Sequence, residues 1–237
     1  MPAPIILVPG FWLGAWAYDE VAATLRADGH DVTALTLPGL ESADTDRSKV
    51  TFEDHVNAIV DAVREADAPV VLAVHSATGF SGYAASDIVP ERIAAMVYVD
   101  SAPGIGVLAP DFEGVEKPLS IEEVQAEENF DGISDEQIAE FARRGVAEPA
   151  GVMRGSHVFT NDARRDIPST IIATGYSAAD YQKYAKENPD WAFLGGIADL
   201  HDITWIDLPT SHWPMWSRPT ELAAIIGDVA TNAGGNE

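Results

Sequence analysis

A chain of 237 residues has room for one large domain with a modest insertion and does not force a split. Its 14 basic against 38 acidic residues give a formal net charge of −24, which repels phosphate backbones and anionic lipid and argues against nucleic acid or membrane as partner. The absence of cysteine removes disulfides, thiolate metal sites and a cysteine nucleophile.

The first ten residues carry no basic lead and too short an apolar run for a signal peptide, and no later run reaches about 18 apolar residues. A cytoplasmic protein handling a neutral or weakly polar small molecule is therefore expected, with a homodimer left open. In chain order, runs rich in β-branched and aliphatic residues at Ile5–Val8, Asp31–Leu37, Val70–Val74, Ala94–Asp100, Thr170–Thr174 and Ile203–Leu208 read as strands. Amphipathic stretches at Ala15–Asp28, Phe52–Asp67, Ala77–Ile88 and Glu221–Thr231 read as helices, with Gly29 as a stop signal and Thr51 as a start signal. This alternation predicts an α/β domain: a mostly parallel sheet of about six strands with helices on both faces.

Between Asp100 and Ile171 the pattern changes to an acidic stretch punctuated by Pro and Gly, with short helical candidates at Ile121–Phe130 and Asp135–Arg144. We expect a single domain over residues 1–237 with a small helical lid inserted at about 103–166. Glu122, Glu123, Glu127 and Glu128 read as a solvated helix face, and the tail from Ala233 to Glu237 as frayed.

Two segments carry the chemistry. Val74-His75-Ser76-Ala77-Thr78-Gly79 follows an apolar strand and opens a helix, which places Ser76 on a strand-to-helix turn beside unpaired backbone N–H groups. Leu208-Pro209-Thr210-Ser211-His212-Trp213 puts a histidine in the loop after the last strand, where it can reach over the sheet edge. Ser76 as nucleophile and His212 as its base is the expected pairing. Asp100, at the carboxyl edge of its strand, is preferred as the residue orienting His212. Asp180 is the alternative acid, and the capping box Ser177-Ala178-Ala179-Asp180 already gives it a structural job. Gly10, by permitting a turn, would aim the N–H of Phe11 inward, and with the N–H of Ala77 it would form an oxyanion hole. Phe11, Trp12, Trp213 and Trp216 are expected to wall an apolar pocket. His75 reads as packing, and His30, His55 and His157 have no evident partner. His201 with Asp199 and Asp202 lacks a matching ligand set, so no metal and no cofactor are expected.

On Ile6-Leu7-Val8-Pro9-Gly10-Phe11-Trp12-Leu13-Gly14-Ala15-Trp16, the segment Gly29–Gly39, the turn at Ser76 and the late His212, the chain resembles the α/β-hydrolase superfamily. Within it, the branch of methylesterases, hydroxynitrile lyases and related bacterial esterases is the nearest likeness. The resemblance implies a serine hydrolase that cleaves a carboxylic ester of a small or medium apolar substrate through an acyl-enzyme. Lactone opening, carbon–carbon cleavage, or binding without turnover are the rival readings. The chain departs from the family pattern at Pro9, where histidine is usual, and at Val74 and Thr78, where glycines flank the serine. β-Branched residues there predict a distorted turn. The lysine that lyases place near their acid has no counterpart before Lys183.

Overall fold

The computed structural model describes residues 1–235. Six strands, β1 (Ile5–Val8), β2 (Val32–Ala34), β3 (Val70–His75), β4 (Ile93–Val99), β7 (Ser169–Ala173) and β8 (Ile203–Asp207), form one sheet in the order β2-β1-β3-β4-β7-β8. Every neighbouring pair in it is parallel. The strand runs lack the polar–apolar alternation of a one-sided sheet because both faces are covered. Ile6, Val8, Leu72, Val74 and Tyr98 point into one core, while Ile5, Leu7, Val71, Ala73 and Val97 point into the other.

The first core is closed by α2 (Phe52–Glu65), through Val56, Ile59 and Val63, and by α3 (Thr78–Ile88). The second is closed by α1 (Asp19–Ala27) and α9 (Pro219–Gly234), through Val21, Leu25, Leu222 and Ile226. The stretch expected as one helix over Ala15–Asp28 is a 3₁₀ turn, Ala15–Tyr18, followed by α1. The last helix reaches Gly234, so Ala233 is helical rather than frayed, and Asn236 and Glu237 lie outside the described residues.

The stretch 103–166 holds a two-stranded antiparallel ladder, β5 (Glu116–Lys117) with β6 (Glu148–Pro149), and the helices α4 (Ile121–Glu127), α5 (Asp135–Arg144) and α6 (Ala150–Arg154). Helix α7 (Ala178–Glu187), which follows β7, was marked in the sequence only by its capping box. The remaining short helix, α8 (Pro214–Ser217), leads into α9. Among the described residues, no helix is long and apolar enough to cross a membrane.

The strand order sets where a site can form. From β1 the chain turns outward to β2, and β3 lies on β1's other flank. The loops leaving the carboxyl ends of β1 and β3 thus diverge and leave a crevice at the switch point. The loop after β1 and the Ser76 turn after β3 open there, and the His212 loop reaches toward them from β8 at the sheet's far edge.

Candidate active site

Ser76 sits between β3 and α3 with φ 54, a left-handed conformation that lifts its side chain off the strand line. Its amide still donates to the Val99 carbonyl at 3.2 Å, so the turn stays tied to β4. Val74 finds its room against a glycine of α3, and Gly79 lets the start of that helix approach the chain after β4. A Cβ at Gly82 would lie 2.5 Å from Val74 Cγ1, and one at Gly79 would lie 2.3 Å from the Ala102 carbonyl oxygen. Thr78 finds polar work, its Oγ1 donating to the His75 carbonyl at 2.7 Å and accepting the His75 amide at 3.1 Å.

His212 Nε2 lies 2.9 Å from Ser76 Oγ, and its Nδ1 lies 2.6 Å from Asp100 Oδ2. The imidazole loop is pinned from both sides: the His212 amide donates to the Asn129 carbonyl at 2.9 Å, and its carbonyl accepts Nε2–H of His75 at 2.7 Å. Asp100 takes φ 40 as the chain leaves β4, and its Oδ1 accepts the Thr174 amide at 3.1 Å and the Tyr181 hydroxyl at 3.2 Å. Asp180 lies elsewhere, accepting the Ser177 hydroxyl at 2.6 Å in its capping box. The structure therefore brings Asp100 to His212 and leaves Asp180 at the start of α7.

Electrostatics follow the same lines. Burial alone would raise the Asp100 carboxyl, but hydrogen bonds from His212 and Thr174 and the charge of His212 hold it below the usual carboxylate range. Burial pulls His212 down, and the bond to Asp100, the Asp100 charge and Glu128 outweigh it, so its pKa lies above the ordinary histidine value. Burial drives His75 down to about 3, so it is neutral. Its Nδ1 accepts the Gly10 amide at 3.2 Å, which assigns the proton to Nε2 and the bond to the His212 carbonyl. His75 is thus a buried strut between two loops of the site rather than plain packing, as the sequence suggested.

Neither the Phe11 nor the Ala77 amide donates to a protein acceptor among the described residues. Ala77 is the residue before α3, and Phe11 follows Gly10 in the loop after β1. Glycine is required at position 10 for closeness rather than for turn conformation, which corrects the expectation: a Cβ would lie 2.9 Å from Ser76 Cβ. The left-handed residue in that loop is Trp12, with φ 65.

Two cavities meet at Ser76 and His212. The smaller, about 200 Å³, is lined by Phe11, Trp12, Ala77, Leu108, Val124 and Trp213, among others. The larger, about 940 Å³, is walled by Tyr176, Tyr181, Tyr184, Trp191 and Phe193, together with Glu127, Glu128, Glu187 and Asp190. Trp216 is not part of either wall. It stacks between Trp16 and Trp213, at centroid distances of 5.8 and 6.0 Å, and donates to the Ala17 carbonyl, a structural post.

Glu122, Glu123, Glu127 and Glu128 are exposed, as expected of a solvated face, but Glu127 and Glu128 also line both cavities and Glu128 Oε2 comes 3.8 Å from His212 Nδ1. Partial desolvation lifts the Glu128 carboxyl above its usual value, against the pull of His212. The wall from α7 was also not foreseen, although Tyr181 and Tyr184, three residues apart after a capping box, are the spacing of one helix face. Other histidines find partners outside the site: His157 with Asp87 at 3.0 Å, His55 with the Pro38 carbonyl at 2.9 Å, and His201 with Asp166 rather than Asp199 or Asp202. Among the described residues there is no group of three residues able to hold a metal ion.

The model of the alpha/beta hydrolase family matches residues 5–225. The chain belongs to that family. The hydrolase is 27% identical to Methylesterase 7 of Arabidopsis thaliana, with 95% of each chain covered. It is 41% identical to Esterase PIR7B of Oryza sativa subsp. japonica over 43% of this chain and 40% of that protein. An extracellular alpha/beta-hydrolase from a Paenibacillus species shares the fold, with a TM-score of 0.76 at 21% identity over 97% and 99% of the two chains. The fold and family that the sequence resembled are those it has.

Proposed function

We propose that this hydrolase is a serine carboxylesterase working through an acyl-enzyme. The observation that carries the reading is the continuous chain of contacts from Ser76 Oγ through His212 to Asp100, at 2.9 and 2.6 Å. The relatives named methylesterase and esterase support an ester as the bond cleaved.

Ser76 Oγ attacks the ester carbonyl carbon while His212 Nε2 accepts its proton. Asp100 keeps Nδ1 protonated and stabilises the imidazolium that forms. The negative charge that develops on the carbonyl oxygen is met by the Phe11 and Ala77 amides, the latter at the N-terminal end of α3. The tetrahedral adduct collapses, His212 returns the proton to the leaving alkoxide, and the alcohol departs. Water, deprotonated by His212, then releases the acid and restores Ser76. With unpaired donors in place before reaction, the barrier falls without reorganisation of solvent.

A fluorophosphonate probe tests the nucleophile directly. The intact chain should be labelled at Ser76, and Ser76→Ala should lose both labelling and ester turnover, with kcat reduced by about 10⁵- to 10⁶-fold. Retained turnover in Ser76→Ala would sink the reading. Product analysis on ester, lactone and cyanohydrin panels separates ester hydrolysis from ring opening and carbon–carbon cleavage on the same residues.

A further inference from the structure

Three consecutive amides follow β1, and they are held differently. The Gly10 N–H donates to His75 Nδ1 at 3.2 Å and the Trp12 N–H donates to Glu148 Oε2 at 3.2 Å. Phe11, between them, has no acceptor among the described residues. Side chains anchored outside the loop therefore tie down the amides on either side and leave the middle one free to face substrate.

The anchor at Trp12 is built by the insertion. Trp12 holds a left-handed φ of 65, which a residue with a Cβ keeps only where its surroundings over-determine it. Here all its polar groups are taken: the N–H by Glu148, the carbonyl by the Val146 amide at 3.0 Å, and Nε1–H by the Lys117 carbonyl at 3.2 Å. Lys117 and Glu148 face each other across the β5–β6 ladder. Glu148 is 1% exposed and its Oε1 has no hydrogen-bond partner. A buried carboxyl with one oxygen unpaired is an expensive way to stabilise a fold. Its position is better explained by what it holds.

We propose that Glu148 is a positioning residue for ester hydrolysis, fixing the Trp12 turn so that the Phe11 N–H points at the developing oxyanion. The proposal rests on the Ser76 reading above. Glu148 touches no reacting atom and acts through the backbone. Loss of its acceptor lets the strained turn relax and turns the Phe11 amide aside, which weakens transition-state stabilisation more than substrate binding.

Charge adds a second signature. Burial pushes the Glu148 carboxyl up to about 8, against the pull of the Trp12 amide and of Arg47, so at neutral pH it accepts as a neutral acid. The charged groups around it are Arg47, itself bound to Glu116 at 3.4 Å, and Lys117 on β5, whose ammonium lies over the Trp12 ring. Ionisation above that pH places a negative charge two residues from Phe11, in the direction that opposes an oxyanion.

The test measures kcat and KM of the full chain, Glu148→Gln and Glu148→Leu on a p-nitrophenyl ester, from acid to alkaline pH, with thermal melts. Glu148→Leu should lose at least about tenfold in kcat with KM within about threefold, a donor lost through misaim rather than binding. Glu148→Gln keeps an acceptor oxygen and should restore kcat at neutral pH, while the alkaline fall expected of wild type near 8 should be absent. A folded Glu148→Leu with wild-type kcat overturns the proposal. Should Glu148→Leu not fold, an alkaline limb in Glu148→Gln identical to wild type overturns it instead. Ser76→Ala run alongside separates the failures: active Ser76→Ala removes both readings, whereas dead Ser76→Ala with normal Glu148→Leu removes this one alone.

Discussion

Val74 Cγ1 fills the space that a side chain at Gly82 would need, the two being 2.5 Å apart once a Cβ is placed on Gly82. Residue 74 is on β3 two positions before Ser76, and residue 82 is a full turn into α3. The bulk that would crowd the serine turn is therefore taken up by the helix that follows it.

Gly82→Ala should destabilise the protein by about 1–3 kcal/mol through overpacking of a rigid core. Adding Val74→Ala should recover much of that loss, since the two changes meet in one space. Thermal melts of the single and double variants check this, and additive losses would show that the two sites are uncoupled.

Asp100→Asn should cost about 10⁴-fold in kcat, because an amide facing His212 Nδ1 no longer selects the productive tautomer. Asp180→Asn should leave kcat within a few-fold and remove only part of a capping box, about 0.5–1 kcal/mol of stability. Parallel kinetics decide, and the opposite ranking would reassign the acid.

The acid limb of the kcat/KM profile should lie above the ordinary histidine value, because His212, in the proposed role of base, works only when neutral and its pKa is raised. Glu128 contributes to that rise. Removing its charge in Glu128→Gln favours the neutral imidazole, so the limb should move to lower pH with Ser76 and Asp100 intact. A profile measured between about pH 4 and 8 reads the sign of the shift.

Burial holds His55 at about 4 in the fold, against an ordinary 6.5, despite its bond to the Pro38 carbonyl. The unfolded chain binds the proton first, so this group's stability is present above 6.5 and is lost as pH falls toward 4. From 6.5 to 5 the loss from this residue is about 2 kcal/mol. Urea unfolding near neutrality and near pH 5 should show a smaller difference in His55→Gln than in wild type. An unchanged difference would mean that the imidazole is not held neutral.

Much of the architecture is legible in the sequence, because each of its signals is local. Strands buried on both faces must read as short unbroken apolar runs, and five of the six expected segments match observed strands to within a residue at each end. Only the segment expected from Asp31 was too long, since β2 at the sheet edge pairs over Val32–Ala34. Ser76 and His212 were visible for the same reason, one at a strand-to-helix transition and the other in the loop after the last strand.

What the tertiary structure decided are the relations that no local pattern carries. An acidic helix gives no sign of which carboxylate meets a distant side chain, yet the path of the chain after α4 brings Glu128 to His212. Glu148 is 136 residues from the amide it holds, and its meaning lies in a backbone angle at Trp12. Trp213 and Trp216 look alike in sequence, but the turn of α8 sends one to the cavity wall and the other between tryptophans. Hydrophobic pattern determines which segments must be buried. Which polar groups then face one another depends on how the loops cross the carboxyl edge of the sheet, and that is set only when all the strands are in place.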